Sequence, residues 1–243
     1  MGKSPRDPKE IFPAITQELK EIYKEDLLSI VLYGSAATPE YKPGKSDINL
    51  MVVLTEEGIH NLDLAFGFVA KWNKRSVAVP LFLTEAYIMA SLDVYPLEYM
   101  NMQSSYVMVH GPDPLKELTF DPQWVRLQCE REVKGKLVLL REGFLASQGR
   151  PAILKQLISD SLVSLAAIFE GLLFLKGLSS EKGKRSKTKA ICGAYGLDWP
   201  IFNRLFDIRE GISNPGKREL TEIFKSYLGQ VRLLAQKVDQ MVT

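Results

Sequence analysis

Four residues near the N-terminus have the types and the spacing of a phosphate-binding site. Gly34 and Ser35 follow one apolar segment, and Asp47 and Asn49 open a second apolar segment after a polar loop. Backbone N–H groups that follow a glycine turn, together with the Ser35 hydroxyl, can bind the oxygens of a triphosphate. The side chains of Asp47 and Asn49 would add two oxygen atoms beside it. This spacing therefore predicts a nucleoside triphosphate site.

The elements that position these residues are two strands joined by the loop. Residues 28–33 are apolar and β-branched, which predicts a strand, and the glycine after them breaks it. In the second strand the side chains alternate, so Asp47 and Asn49 project to one face while Ile48 and Leu50 project to the other. Both polar side chains are therefore expected to point toward whatever the Gly-Ser turn holds.

The motifs in and around the two strands resemble those of a known family. The segments Tyr33-Gly34-Ser35, Lys42-Pro43 and Ser46-Asp47-Ile48-Asn49-Leu50 are similar to the motifs of the DNA polymerase beta-type nucleotidyltransferase superfamily. They are most similar to its aminoglycoside-modifying members, which carry a Gly-Ser turn, a loop often containing Lys-Pro, and then Ser-Asp-Ile-Asp-Leu. One position departs from this pattern, because Asn49 replaces the second family aspartate.

The resemblance implies a role for each matching residue. Gly34, Ser35 and Ser46 would bind the nucleotide, and Asp47 and Asn49 would be the catalytic residues and metal ligands. In the family, two aspartates and a third carboxylate hold two Mg²⁺ ions that bind the triphosphate and activate the acceptor hydroxyl. An amide oxygen ligates Mg²⁺ without supplying charge, so Asn49 predicts a degenerate metal site.

The third carboxylate of the family has no counterpart at the matching place. The next apolar segment, residues 76–83, predicts a strand, but the available positions there are Ala78, Val79 and Pro80. The proline lacks an N–H, which predicts an edge or bulged strand. Two acidic candidates remain, Glu85 and Glu98, and Glu98 joins Asp47 and Asn49 as the predicted metal ligands.

Hydrophobic periodicity predicts an α+β protein of two domains. Residues 1–118 would form a small mixed-sheet nucleotidyltransferase-like domain, and residues 121–243 an all-α helical bundle. Asp121-Pro122 is a good cap and first-turn pair for the first bundle helix. The predicted helices are 8–24, 55–74, 123–147, 151–176, a shorter one after the Lys-rich run, 200–209 and 219–242, and the last strand is 105–110.

By helix pattern and domain order, the bundle resembles the second domain of kanamycin nucleotidyltransferase and the HEPN domains often paired with such modules. HEPN ribonucleases require an Arg-x4–6-His motif, and no histidine follows His110 in this sequence. Ribonuclease activity of that kind is therefore excluded. Asp160 and Glu170, on the second bundle helix, are expected to face solvent. His110 is either a general base or ligand, or a polar strand end.

Composition is that of an ordinary globular protein, with 46% hydrophobic residues among 243. No apolar run is long enough for a membrane span, and the N-terminus lacks the apolar core of a signal peptide, so a cytoplasmic protein without a membrane partner is expected. Cys129 and Cys192 are each expected to be a buried or semi-buried free thiol.

Charge is unevenly distributed along the chain. Residues 1–121 contain 11 Lys and Arg against 17 Asp and Glu, and residues 122–243 contain 20 against 12. This asymmetry fits either two domains that attract each other or a basic wall facing a phosphate-bearing ligand. The run 182–189 would either contact phosphates or RNA or form a solvated loop. An apolar stripe in residues 220–238 would serve either the bundle core or a homodimer seam.

Three functions fit these observations. The first is transfer of a nucleotidyl group from a nucleoside triphosphate, with Mg²⁺, to the hydroxyl of an unknown acceptor, which would be a small molecule, a protein or RNA. The second is a catalytically inactive module that binds nucleotide and regulates. The third is a scaffold or interaction protein without nucleotide binding. Only nucleotide binding separates the third function from the first two.

Overall fold

The computed structural model describes residues 4–179 and 183–242. The chain divides into two compact units. Unit 1 comprises Met1–Leu92 with Glu98–Thr119, and unit 2 comprises Asp93–Leu97 with Phe120–Thr243. No helix within the described ranges is long and apolar enough to span a membrane.

Unit 1 contains a mixed sheet of four strands. The strands are β1 (Leu27–Tyr33), β2 (Asn49–Leu54), β3 (Leu81–Thr84) and β4 (Tyr106–His110). They lie in the order β3-β2-β1-β4, with β1 antiparallel to both β2 and β4, and with β2 parallel to β3. This mixed sheet, together with the helices that follow it, confirms the predicted α+β class.

Two helices of unit 1 supply the apolar core on one face of the sheet. The unit 1 helices are α1 (Phe12–Tyr23), α2 (Phe66–Asn73), α3 (Glu85–Ala90) and α4 (Pro96–Ser104), of which Pro96 and Leu97 belong to unit 2. Ile15 and Leu19 of α1 and Trp72 of α2 are buried with alternate residues of β1 and β2, such as Leu32 and Leu50. The alternation that buries these residues leaves Asn49 on the opposite face.

The third strand is shorter than its sequence predicts. The predicted strand over 76–83 is wrong for its first half, because Ser76 has a φ of 66°, outside the extended region, and Pro80 cannot donate to a ladder. Val77 makes an isolated bridge to Ile48, and β3 proper begins at Leu81. The predicted edge position is confirmed. The α3 and α4 helices were not predicted, although Thr84 caps α3 by accepting a hydrogen bond from the N–H of Tyr87 at 3.1 Å.

A glycine anchors the end of β4 against β1. Gly111 has a φ of 77°, and a Cβ atom built on it would lie 1.9 Å from the carbonyl oxygen of Leu28. The next contact is a 2.6 Å hydrogen bond from the Ser29 hydroxyl to the carbonyl of Pro112. Only a residue without a side chain permits this approach, so Gly111 determines how the chain leaves the sheet.

The described part of unit 2 consists of helices apart from its turns. They are α5 (Pro122–Ser147), α6 (Pro151–Ala166), α7 (Phe169–Phe174), α8 (Lys184–Tyr195), α9 (Trp199–Arg209) and α10 (Lys217–Asp239). The Asp121 carboxylate accepts a 2.8 Å hydrogen bond from the N–H of Gln123, so the predicted cap is confirmed. The side chains of the C-terminal stripe are buried, which places that stripe in the core of unit 2.

The helix predicted over 151–176 is interrupted after Ala166. Upstream of the break, the hydroxyls of Ser161 and Ser164 donate to the carbonyls three residues earlier, at 2.9 and 3.0 Å. Such bonds compete with the helical ladder and bend helices. The chain then resumes as α7, whose Gly171 is packed so closely that a Cβ would lie 2.2 Å from Leu97.

The basic run is not the solvated loop that its composition suggests. Residues 180–182 lie outside the described ranges, but residues 184–189 belong to α8. Arg185 bonds Asn203, Asp207 and Glu210, each at 3.0 Å. The ammonium of Lys187 pairs with the carboxylate of Glu170.

Glu170 is buried, so its predicted exposure is wrong. Its ion pair with Lys187, from a different helix, compensates for the burial of its charged carboxylate. Asp160 is exposed, as predicted, and accepts a 2.8 Å hydrogen bond from the Gln156 amide.

Both cysteines are free and buried, as predicted. Burial raises the pKa of each thiol, Cys129 and Cys192, to about 12. At pH 8 the folded protein is therefore expected to react with a thiol reagent at least about 100-fold more slowly than the denatured chain, since the thiolate is the nucleophile. Ellman titration with and without guanidinium checks this. Reaction of either thiol at the denatured rate would contradict it.

Candidate functional site

The Gly-Ser turn lies at the end of β1, directly beside β2. Gly34 has a φ of 76° and begins a short 3₁₀ turn, Gly34–Ala37. Its neighbour Tyr33 pairs with Asn49 across the two strands. A Cβ built on Gly34 would lie 3.3 Å from the side-chain amide nitrogen, Nδ2, of Asn49. The structure thus brings the turn and the Asn49 side chain together.

Asp47 and Asn49 flank a residue that points inward. Ile48 is fully buried, and its N–H donates to the carbonyl of Ser76 at 2.8 Å. The side chains on either side therefore project away from the core. Asp47 is exposed, and its carboxylate takes part in no hydrogen bond or ion pair with the part of the chain that the structure describes. This leaves the Asp47 carboxylate available to a cation.

The loop between the strands is closed by Ser46. Its hydroxyl accepts a 3.1 Å hydrogen bond from the N–H of Lys42, and its own N–H donates to the carbonyl of Lys42 at 2.9 Å. Ser46 therefore closes the loop, a structural role that was not predicted beside its nucleotide contact. Ser35 is exposed, and its carbonyl accepts from the N–H and the hydroxyl of Thr38 at 3.2 and 3.0 Å.

The strand beside Asn49 supplies no oxygen ligand. Val77 pairs with Ile48 and Leu81 pairs with Met51, so residues 78–80 lie opposite residues 49–50. This one-residue excess is a bulge, and its members are Ala78, Val79 and Pro80. Val79 is 65% exposed. The two acidic candidates lie elsewhere in the chain, Glu85 at the start of α3 and Glu98 in the first turn of α4, both exposed.

This donor set fits one Mg²⁺ ion better than two. The described residues contain no group of three or more His, Cys, Asp or Glu side chains placed to hold a metal. Asp47 supplies a single negative charge, and Asn49 supplies a neutral oxygen. Mg²⁺ is commonly held by one or two carboxylates together with phosphates and water. Asp47 with Asn49 suits that arrangement, whereas a two-ion centre would lack its bridging carboxylates.

His110 lies away from the Gly-Ser turn. It pairs with Ile30, whereas Tyr33 pairs with Tyr106 at the other end of β4. Three residues of strand correspond to about 10 Å. Burial and the charge of Lys20 lower the pKa of His110. The structure therefore favours the strand-end interpretation of this histidine over a role as base.

Asp113 has a structural role at the end of the sheet. Its carboxylate accepts a 2.7 Å hydrogen bond from the Tyr106 hydroxyl, which raises the pKa of that tyrosine to about 12. It also accepts from the N–H groups of Leu115 and Lys116 at 2.9 and 3.1 Å. Turn chemistry thus accounts for Asp113.

Two tyrosines beside the site were given no role from the sequence. Tyr106, Tyr33 and Asn49 form a row across three neighbouring strands. Tyr33 is partly buried, and this burial raises its pKa. The available signal was the position of each tyrosine at a strand end, but the β1–β4 pairing that aligns them is formed by segments far apart in the chain.

Comparisons with known proteins agree with this geometry. Residues 13–88 match the family profile described as a nucleotidyltransferase domain. The fold is similar to that of spectinomycin adenyltransferase AAD(9) from Enterococcus faecialis, solved with ATP and spectinomycin, at a TM-score of 0.51 and 10% identity. That similarity covers 95% of this chain and 99% of the other. A search of curated proteins gives no significant match.

The region that matches the profile includes the residues of the candidate site. It spans the Gly-Ser turn, the loop, Asp47 and Asn49, and it extends through the bulge to α3. The solved structure supports the same fold for the sheet and for the helices that follow it. The chain therefore carries a domain of the nucleotidyltransferase superfamily.

Proposed function

We propose that unit 1 binds a nucleoside triphosphate with one Mg²⁺ ion at the Gly-Ser turn, and that the bound nucleotide is not transferred at an enzymatic rate. One observation supports this proposal: the Gly34 turn lies beside Asn49 and the exposed Asp47 has no partner in the described residues, while the bulge opposite Asn49 consists of Ala78, Val79 and Pro80. Binding needs the turn and a cation ligand. Transfer needs more negative charge around the metal.

The turn supplies the phosphate contacts in this proposal. N–H groups at the start of a helical turn have no acceptor within that turn, so they can donate to a ligand. The turn lies beside the Asn49 side chain, because a Cβ built on Gly34 would be 3.3 Å from its amide nitrogen. Mg²⁺, when bound with the nucleotide, would be held by Asp47 and Asn49 and would neutralise the triphosphate.

Transfer is disfavoured by the electrostatics of the site. Phosphoryl chemistry depends mainly on positioning and on charge stabilisation, and loss of one preorganised group typically costs about 100- to 1,000-fold in rate. Here two of the family's three carboxylates are replaced, by Asn49 and by the apolar bulge. The two losses together would leave the bound nucleotide essentially unreacted. Glu98 stays a predicted third ligand, in the first turn of α4.

A second candidate function is nucleotidyl transfer to a hydroxyl acceptor. The observation that favours it is the likeness to the adenyltransferase fold over 95% of the chain, which includes the helices of unit 2. That protein was solved with ATP and a small molecule, spectinomycin. The acceptor here would be a small molecule, a protein or RNA.

The two candidates are distinguished by comparing binding with turnover. We expect the wild type to bind at least one of the four nucleoside triphosphates with Mg²⁺ in calorimetry while releasing no pyrophosphate. Asn49→Asp is expected to strengthen Mg²⁺-dependent binding about tenfold, because it adds a charged ligand. Pyrophosphate release should still be absent, since the bulge still lacks a carboxylate.

The control Asn73→Asp adds the same charge at an exposed position of α2 and should leave binding unchanged. Sustained pyrophosphate release by the wild type with an acceptor would establish the second candidate. Absence of nucleotide binding in every variant would leave only the scaffold function.

A further inference from the structure

The outward side of α5 carries an apolar stripe that is interrupted between Leu127 and Val138 by Arg131, Lys134 and Gly135. Its exposed side chains are Trp124 (39%), Leu127 (40%), Val138 (50%), Leu139 (64%) and Leu145 (77%). At 100° per residue these positions fall on one side of the helix, opposite Val125, Cys129, Val133, Leu137 and Leu140, which are buried. The helix is therefore apolar on both sides, although only one side is covered.

Charged pairs border the stripe on both flanks. Glu130 accepts from Arg126 at 2.7 Å and from Lys134 at 2.6 Å on one flank, and Glu132 accepts from Lys136 at 3.1 Å on the other. An apolar centre with a polar rim is the anatomy of a protein interface. Single exposed apolar residues are ordinary, but five of them on one side of a helix, with such a rim, fit a contact surface.

The middle of the stripe has room for a close helix. A Cβ built on Gly135 would meet no atom within 4 Å. Two opposite charges stand near this glycine on the stripe, Arg131 before it and Glu142 after it. Among the residues that the structure describes, Arg131 pairs only with Glu132, at 3.8 Å, and Glu142 makes no ion pair. Both charges are thus available to a partner.

We propose that this stripe, the exposed face of α5, is the contact surface for a second copy of this chain, with the two α5 helices antiparallel about a twofold axis. If Gly135 lies opposite Val138 of the second copy, helical spacing places Arg131 opposite Glu142 of that copy. The twofold axis repeats this ion pair. Leu127 then lies opposite the exposed Ala146, so the stripe is self-complementary in shape and in charge.

The size of the stripe predicts a weak dimer. A helix of 26 residues is about 39 Å long at 1.5 Å per residue. A covered strip roughly 10 Å wide then buries about 400 Å² per copy, which is half the area of a standard interface. We therefore expect a dissociation constant in the micromolar range, since small interfaces overcome the entropic cost of association only narrowly.

Sedimentation velocity of the full chain tests the proposal at protein concentrations from about 1 to 200 μM, a range that spans micromolar affinity. The wild type should pass from monomer to dimer. Val138→Lys should weaken the dimer at least about tenfold by placing a charge in the apolar centre. Arg131→Glu and Glu142→Arg should each weaken it about fivefold, and the double variant should return to within about twofold of the wild type.

Arg218→Glu, an exposed charge reversal on α10, is the matched control and should not affect association. All the substituted positions are exposed, so each variant should keep the circular dichroism and melting temperature of the wild type. A wild type that stays monomeric at every concentration overturns the proposal. A dimer whose affinity is unchanged by Val138→Lys overturns it as well. If the double charge reversal does not restore association, the antiparallel pairing is overturned.

Discussion

Asp47→Ala is expected to weaken binding of the Mg²⁺ complex of the preferred nucleoside triphosphate by at least about 100-fold. Asp47 is the charged side chain beside the Gly-Ser turn, and its exposed carboxylate has no competing partner in the described residues. Its loss would leave Asn49 as a neutral oxygen ligand. Isothermal titration calorimetry at fixed Mg²⁺ measures the effect.

The same variant should change metal-free binding by much less. Without Mg²⁺ the contacts come from the Gly-Ser turn, and a carboxylate repels the triphosphate rather than binding it. Glu56→Ala, which removes an exposed carboxylate just after β2, is the matched control and should bind as the wild type does. Equal Mg²⁺-dependent affinity in wild type and Asp47→Ala would show that the nucleotide site lies elsewhere.

Gly111→Ala is expected to lower the free energy of unfolding by more than about 3 kcal/mol. A Cβ atom there would lie 1.9 Å from the carbonyl oxygen of Leu28, and the φ of 77° disfavours any L-residue. Relief of the clash would have to move β4 away from β1, which breaks the hydrogen bond between Ser29 and Pro112. Urea unfolding followed by circular dichroism measures the change.

Gly44→Ala separates the cost of the steric clash with Leu28 from the cost of the positive φ. Gly44 also has a positive φ, 73°, but a Cβ there would meet nothing within 4 Å. This variant should lose only about 1 kcal/mol, the cost of the backbone conformation alone. If the two variants were equally stable, the close approach of Gly111 to Leu28 would not be the cause.

The backbone geometry around the candidate site was predicted from the sequence because its determinants are local. The apolar run before Gly34, the glycine itself and the alternation around Ile48 lie within two neighbouring strands. Alternation depends on backbone geometry alone, so it predicted that Asp47 and Asn49 flank an inward-pointing residue. The Asp121 cap was predicted for the same reason, since its acceptor and donor are two residues apart.

The sequence left questions open, or was wrong, where distant segments meet. It predicted an edge or bulged strand around Pro80, but the extent of the bulge at 78–80 depends on the positive φ of Ser76 and on parallel pairing with β2. Glu170 was expected in solvent, yet it pairs with Lys187 from another helix. His110 could be placed relative to the site only after the pairing of β4 with β1 was known. In each case the deciding contact joins residues that no local pattern links.

The sequence by itself determined the chemistry that the candidate site offers: a Gly-Ser turn, one carboxylate at Asp47 and a neutral amide at Asn49. It also determined the order of the elements, because strand and helix periodicities are properties of short segments. Only the tertiary structure decided that an apolar bulge lies beside Asn49 and that the outer face of α5 is left uncovered. Those features depend on which distant segments pack together, and packing is a property of the whole fold rather than of any one segment.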